Sequence, residues 1–276
     1  MCGIAGFTTF NRDQEKEKLL LEMGDIIAHR GPDAHGEYID SQVGLSHRRL
    51  SILDLSESGN QPMYSDTGNE IVVFNGEIYN FQELRELAEE QGYIFKTQTD
   101  SEVILALYAL EGESCISKLN GMFAFAIWDK TKQELFLARD RIGKKPLYYY
   151  DNGNEFIFGS EIKAILAHPA AKKAVNPEAV YDFFAYQYIP EPKTIFHNIY
   201  KLKPGHCLSI SKEKRNDYPY WDLSFAKQST KSEAEISQEL LHILDESTRQ
   251  RMISDVPLGA FLSGGVDSSG IVALMS

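Results

Sequence analysis

The chain has 276 residues, 43% of them hydrophobic and 11% aromatic, and a formal net charge of −12. That length accommodates one large domain or two ordinary ones with a substantial core. The negative balance disfavours a nucleic-acid backbone or an anionic membrane as the main partner.

Met1 is followed by Cys2-Gly3-Ile4-Ala5-Gly6-Phe7. Removal of Met1 would put a thiol and a free α-amine on one residue. The amine titrates near pH ~8 and the thiol slightly above it, so the amine can serve as the base that activates its own nucleophile. While Met1 remains, Cys2 has no free amine, and that form is expected to be inactive. The charged stretch from Asn11 to Lys18 does not resemble a signal peptide, and no apolar run reaches membrane-spanning length. The expected location is the cytoplasm. Cys2, Cys115 and Cys207 lie far apart, without the spacing of a disulfide framework or a zinc site. Cys115 and Cys207 read as structural, and no metal site is expected from them.

Helical periodicity runs through Leu19 to Ala28, Asn80 to Gln91 and Ser101 to Glu111, with Gly92 as a C-cap. Between the first two, the apolar run Ile71 to Phe74 stops at Asn75-Gly76. Met122 to Trp128 and Glu134 to Arg139 predict a hairpin around Asp129 to Lys132. Leu147 to Tyr150 and Phe156 to Phe158 predict a second, closed by a type I′-like turn at Asp151 to Asn154. Many strands with few helices predict an α+β fold of stacked antiparallel sheets with helices outside. From Pro190 to about Thr230, prolines and the polar turn Ser211 to Asn216 read as a connection between domains. Periodicity returns over Ser232 to Arg251, with Ser232 as N-cap. An apolar strand at Val256 to Leu262, the loop Ser263-Gly264-Gly265-Val266-Asp267-Ser268-Ser269 and a helix over Ile271 to Met275 then read as the opening of a parallel α/β domain. The expected domains are therefore 1–190, a connection over 191–230, and the truncated start of a second domain over 231–276.

A cysteine attacking an amide needs an oxyanion hole and groups that recognise the substrate's own charges. Arg49 offers a bidentate grip on a carboxylate. The Asn75 side-chain amide and the Gly76 N–H sit together at a strand end, and Asp100 offers an anion for an ammonium. The set matches an α-amino acid with a side-chain amide. Each member also has a plainer reading: Arg49 as a surface ion pair, Asn75-Gly76 as an ordinary turn, Asp100 as the cap of the helix beginning near Ser101, and His29-Arg30-Gly31-Pro32-Asp33 as a structural turn. Glu77 is equally open.

Cys2 to Gly6, His29 to Asp33, Arg49 to Ile52, Asn75 to Asn80 and Asp100 to Glu102 resemble, in order, the motifs of the class II glutamine amidotransferases, and within them those of glutamine-hydrolysing asparagine synthetases. The resemblance covers essentially the whole chain. It implies a four-layer αββα fold of the N-terminal-nucleophile hydrolase type, followed by the start of an ATP-pyrophosphatase-type α/β domain. It further implies that Cys2 attacks the glutamine amide, that Asn75 and Gly76 form the oxyanion hole, and that Arg49 binds the α-carboxylate. Asp100 with Glu77 would receive the α-ammonium, and main-chain groups of Leu50, Ser51, Ile52 and Leu53 would line the pocket.

The Ser263 to Ser269 loop lacks the Gly-Lys-Ser/Thr ending of a Walker loop and resembles instead the pyrophosphate loop of enzymes that adenylate a carboxylate. Its plain reading is a flexible turn. The resemblance implies nucleotide contacts from Leu262, Ser263, Gly264, Gly265, Asp267 and Ser268, with ATP and Mg²⁺ as cofactors of the second domain only. The expected activity is glutamine-dependent asparagine synthesis, with ammonia passing to an ATP-activated aspartate. An amidotransferase acting on another carboxylate, such as a sugar acid, and a non-catalytic regulatory module are the alternatives. Expected partners are glutamine, with aspartate and ATP in the full-length parent. A homodimer is open, and neither nucleic acid nor a membrane is expected. Ile165, Leu166, Phe183 and Phe184 read either as a domain interface or as plain core.

Overall fold

A computed structural model describes residues 1–8, 15–226 and 228–276; the first part of the charged run from Asn11 lies outside them. The chain forms two compact units, Met1–Asp222 and Leu223–Ser276.

The first unit begins with β1 (Gly3–Thr8), α1 (Lys16–Asp25), β2 (Ala34–Ile39), β3 (Val43–Arg49), β4 (Met63–Tyr64) and β5 (Glu70–Ile78). The helices α2 (Phe81–Glu90) and α3 (Asp100–Glu111) come next, then β6 (Gly121–Asp129), β7 (Glu134–Arg139), β8 (Tyr148–Asp151) and β9 (Phe156–Gly159). It closes with α4 (Ile162–Ala167), α5 (Pro177–Tyr186), β10 (Ile199–Lys201), β11 (His206–Ile210) and β12 (Arg215–Pro219). The strands make two six-stranded antiparallel sheets, in the orders β10-β8-β9-β1-β3-β2 and β12-β11-β7-β6-β5-β4.

The period of two along each strand decides the layering. Ile71 and Val73 of β5, with Ala124, Ala126 and Trp128 of β6, face Ile4, Val43, Leu45, Phe156 and Phe158 of the other sheet. Val72 and Phe74, with Phe123, Phe125 and Ile127, turn the opposite way onto Leu84 of α2 and Val103, Ile104 and Leu107 of α3. On the far side, Ala5, Phe7 and Ile157 pack against Leu20 and Met23 of α1 and Ile165 of α4. The layers therefore read helix, sheet, sheet, helix, which is the αββα arrangement. Both faces of the central strands are buried, which explains their nearly continuous apolar sequences.

Several details depart from the sequence reading. Within 191–230, residues 199–219 are not a connection but part of the first unit. β10 extends the first sheet, β11 and β12 complete the second, and Ser211 to Lys214 is the turn of the β11–β12 hairpin. Such short strands carry too few residues to show periodicity, and the pairings of β10 with β8 and of β11 with β7 are non-local. The turn between β8 and β9 is not type I′, because that turn needs two residues at positive φ and only Gly153, at 92°, has one there. Instead Asn152 Oδ1 accepts the N–H groups of Asn154 and Glu155. The first helix ends at Asp25, and Ala28–Arg30 forms a 3₁₀ turn. The helix α5 carries its own sequence signal, Asn176 as N-cap with Pro177 in the first turn. Ile165 is core and Leu166 packs partly against it, whereas Phe183 and Phe184 are exposed.

The second unit contains α6 (Glu233–Gln250) and α7 (Val266–Met275). Ser232 and Glu235 close a capping box at the start of α6. Val256 to Leu262 is not a strand; it is irregular, and Leu258, Phe261 and Leu262 are exposed. A strand exists only by pairing, and the unit offers no second one among the described residues. Among them, too, no helix is long and apolar enough to cross a membrane.

Candidate active site

Cys2 immediately precedes β1, an inner strand flanked by β3 and β9. The register Gly3↔Arg48 brings Cys2 alongside the end of β3. The Leu50 N–H donates to Cys2 Sγ at 3.4 Å, and Sγ donates to the Leu50 carbonyl at 3.7 Å. Arg30 Nε donates to the Cys2 carbonyl at 2.9 Å, while its Nη1 donates to Glu161 at 3.1 Å. The turn His29 to Asp33 is thus a bracket beneath Cys2. Gly31 lies so close to β3 that a Cβ would come within 2.3 Å of the Arg48 backbone, and Asp33 Oδ2 accepts the Ser51 N–H at 2.8 Å.

Cys2 lines one small cavity of about 60 Å³. On its wall lie Cys2, Arg49, Leu50, Ile52, Leu53, Asn75, Gly76, Glu77 and Asp100, contributed by the residue ahead of β1, by β3, β5 and α3, and by the loop after β3. Ser51 is not on that wall; its N–H is turned away onto Asp33. Met1, Gly59, Gln61, Thr99 and Lys145 also line it and carry no motif that sequence reasoning would select. Gln61 acts as a strut between elements: its Nε2 donates to Ser101 Oγ at 3.0 Å and its Oε1 accepts the Phe74 N–H at 2.7 Å.

Asn75 is fully buried, and neither its Oδ1 nor its Nδ2 has a hydrogen-bond partner among the described residues. An unsatisfied buried amide costs roughly 1–3 kcal/mol, so a side chain kept in that state is poised for something that enters the cavity. Asn75 and Gly76 are not an ordinary turn, because both continue β5 and pair with Ala124 and Phe123.

Asp100 does not cap its helix. Thr99 does, its hydroxyl accepting the Glu102 N–H at 3.4 Å. Asp100 Oδ2 instead accepts the Ile78 N–H at 2.8 Å. Burial, reinforced by the like charge of Glu77, pushes its carboxyl up to about 7.

Arg49 is not a surface ion pair, and both of its terminal nitrogens are engaged. Nη1 donates to the Ser56 carbonyl at 2.7 Å and Asn60 Oδ1 at 2.9 Å, and Nη2 donates to the carbonyls of Leu53, at 3.2 Å, and Asp54. The guanidinium ties down the loop that forms one wall. Burial raises the Cys2 thiol, against the Leu50 N–H bond, and lowers the Met1 amine. The resting sulfur is therefore a thiol, and the nearby amine is biased toward its neutral, basic form.

In the second unit, Ser263 Oγ and Ser268 Oγ lie 2.9 Å apart, and Ser268 Oγ donates to the Gly265 carbonyl at 3.1 Å. Gly264 has φ of 79° with nothing near its Cα, and Gly265 leaves the start of α7 without a side-chain cap. Asp267 lies in the first turn of α7, which begins at Val266, several residues earlier than periodicity suggests. Leu262 and the loop are exposed apart from Ser268, which is half-buried. Open backbone at a helix N-terminus fits a phosphate group.

The profile of the glutamine amidotransferase domain family matches residues 1–221. The chain belongs to this family. A second profile, asparagine synthase, matches residues 239–276. The chain is 39% identical over 99% of its length to Bacillus subtilis asparagine synthetase [glutamine-hydrolyzing] 3, covering 45% of that protein. It is 40% identical over its full length to amidase chry2 of Gibberella zeae, covering 43% of it. It is also 43% identical to a Methanocaldococcus jannaschii protein provisionally named a glutamine-hydrolyzing asparagine synthetase, 57% of which is covered. The amidotransferase chain thus spans about half the length of the curated relatives it matches. Its fold is shared with glutamine phosphoribosylpyrophosphate amidotransferase from B. subtilis, at a TM-score of 0.59 and 17% identity, over 99% of this chain and 64% of that one.

Proposed function

We propose that the first unit hydrolyses glutamine to glutamate and ammonia at Cys2. The observation that carries the reading is the unpartnered, buried Asn75 amide on the wall of the cavity that Cys2 also lines. With Met1 removed, the Cys2 amine takes the thiol proton as Sγ attacks the side-chain carbonyl of glutamine. The oxygen, now negative, is held by Asn75 Nδ2 and the Gly76 N–H. The carbon–nitrogen bond breaks, the proton returns to the departing nitrogen as ammonia, and a thioester remains. Water, deprotonated by the same amine, then releases glutamate and restores the thiol. Asp100 with Glu77 receives the substrate ammonium, and the Arg49 guanidinium receives the carboxylate by exchanging part of its hold on the 53–60 loop. The main chain of Leu50, Ile52 and Leu53 shapes the remaining wall, with Ser51 fixed behind it.

In the longer protein the ammonia is used to amidate an ATP-activated aspartate, giving asparagine. Ser263, Gly264, Gly265, Asp267 and Ser268, with Leu262 beside them, would hold ATP with Mg²⁺, and the nucleotide would supply the activation of the carboxylate. A second acceptor reading is favoured by a specific finding: the relative named an amidase is as similar as those named asparagine synthetases. Aspartate-dependent AMP formation by the full-length parent separates the two, since AMP formed only with a different carboxylate would replace aspartate.

The glutaminase reading is tested by glutamate release from chain whose first residue is cysteine, alongside Cys2→Ala. Activity is expected in the former and none in the latter. Unchanged hydrolysis in Cys2→Ala would overturn the reading and favour another nucleophile, while inactivity of both would favour the non-catalytic alternative.

A further inference from the structure

The glutaminase scheme leaves one buried charge without a task. Lys145 is only 5% exposed and lies on the same cavity wall as Cys2, Asn75 and Glu77. Its backbone is held from both sides: the Lys145 N–H donates to Asp140 Oδ2 at 2.9 Å, and its carbonyl accepts Arg139 Nε at 2.8 Å. The turn from Asp140 to Lys145 is wound about the buried Asp140 carboxylate, which also accepts the N–H groups of Ile142, Lys144 and Phe123. Gly143, at φ of 67°, permits the winding. The ammonium itself makes no hydrogen bond among the described residues.

A lysine buried for structural reasons ordinarily finishes in an ion pair or against carbonyls, because desolvating an unpaired ammonium is expensive. This one is carried on a rigid turn into a reactive cavity. The groups facing it are Glu77 from β5, Cys2 ahead of β1, Arg30 from the 3₁₀ turn, and Asp140 from its own turn. The Met1 amine, one residue ahead of the amine that Cys2 would expose on removal of Met1, is surrounded by Cys2, Lys145, Arg30 and Asp33, and the thiol faces Asp100 and Arg49 besides that amine. Three cations, Arg30, Arg49 and Lys145, therefore work against four carboxylates, Asp33, Glu77, Asp100 and Asp140. Arg30 and Arg49 are committed to hydrogen bonds that hold the Cys2 carbonyl, Glu161 and the 53–60 loop. Arg30 Nη2 is also buried without a partner, but the rest of that guanidinium is engaged; Lys145 is the one of the three whose charged group makes no hydrogen bond at all among the described residues.

We propose that Lys145 is the electrostatic tuner of the nucleophile: its ammonium disfavours a proton on the neighbouring α-amine and favours negative charge on Cys2 Sγ. A cation beside an amine weakens its hold on a proton, and a cation beside a thiol eases ionisation. Both effects move the base and the nucleophile toward their working forms at neutral pH. The proposal deepens the glutaminase reading and rests on it for its catalytic consequence.

Alkylation of Cys2 by iodoacetamide as a function of pH tests it without requiring glutamine. Cys115 and Cys207 are fully buried, so the reactive thiol is Cys2. With cysteine as the first residue, the midpoint for Lys145→Met is expected to move up by about one pH unit, while Lys145→Arg stays close to the parent. Lys145→Gln serves as the second neutral variant should the methionine variant fail to fold. In a glutamine-hydrolysing preparation, the acidic limb of kcat/KM shifts by the same amount. A shifted alkylation midpoint with no glutamine hydrolysis by the parent supports the Lys145 role and overturns the glutaminase reading. An alkylation midpoint unmoved in folded Lys145→Met or Lys145→Gln overturns the Lys145 role, whatever the activity.

Discussion

Asp100→Asn separates the cost of the substrate-binding charge from its use. In the folded chain, burial and the neighbouring Glu77 hold the Asp100 carboxyl at about 7, whereas an aspartate in an unfolded chain titrates near ~3.9. Between those values the unfolded chain has released this proton and the folded chain still holds it. The folded state therefore binds more protons, and stability falls as pH rises through that window. Three units at ~1.4 kcal/mol each make about 4 kcal/mol over the full window, of which about 2.5 kcal/mol falls between pH ~5 and ~8. Asparagine cannot titrate, and its carbonyl oxygen can still accept the Ile78 N–H that Asp100 Oδ2 holds at 2.8 Å. The stability of Asp100→Asn relative to the parent is thus expected to rise by about 2.5 kcal/mol from pH ~5 to pH ~8. Urea unfolding at the two pH values, followed through the buried Trp128, measures it. The same variant should raise the glutamine KM by about 30-fold or more, because truncating one partner of a buried charge pair costs upwards of ~2 kcal/mol. In the parent, KM should fall as pH rises through 7. A stability gap of equal size at both pH values would refute the reasoning.

Asn75→Ala should lower kcat by about 10²- to 10³-fold, the cost of losing one oxyanion donor. Its unfolding midpoint should not fall, because the buried amide it removes has no partner; a large loss of stability would show that the amide is structural. Gly76→Ala should be destabilised by about 2 kcal/mol or more, since an added Cβ would stand 2.2 Å from the Met122 carbonyl and 2.7 Å from Phe123 Cα, backbone of the adjacent strand. A wild-type urea midpoint for that variant would show that β5 and β6 can separate at little cost.

The parts of this chain that were legible as sequence are those whose signal is local. Ile71 to Phe74 and Met122 to Trp128 announce strands by β-branched and aromatic residues, and Asn80 to Gln91 announces a helix by its apolar stripe. Cys2, Asn75, Gly76 and Asp100 announce chemistry by residue type and order. The short strands β10 to β12 were illegible for the opposite reason: three to five residues with turn chemistry around them specify nothing until a neighbouring strand is there to pair with. Val256 to Leu262 failed in the other direction. Apolar content alone suggests a strand, but hydrogen-bond partners make one.

The sequence alone determined the order of the motifs and the family to which the chain belongs, and it singled out Cys2 as the candidate nucleophile, because residue identity and spacing carry that chemistry directly. Tertiary structure decided what each charge is doing. Asp100 turned out to be a wall of the cavity and Thr99 the cap, Arg49 the fastening of a loop, Ser51 a residue behind the wall, and Lys145 a buried cation on the wall it shares with Cys2. Those assignments depend on which side chains are buried together and which hydrogen bonds remain to be made, and residues far apart in the chain, such as Cys2 and Lys145, meet only when the two sheets stack.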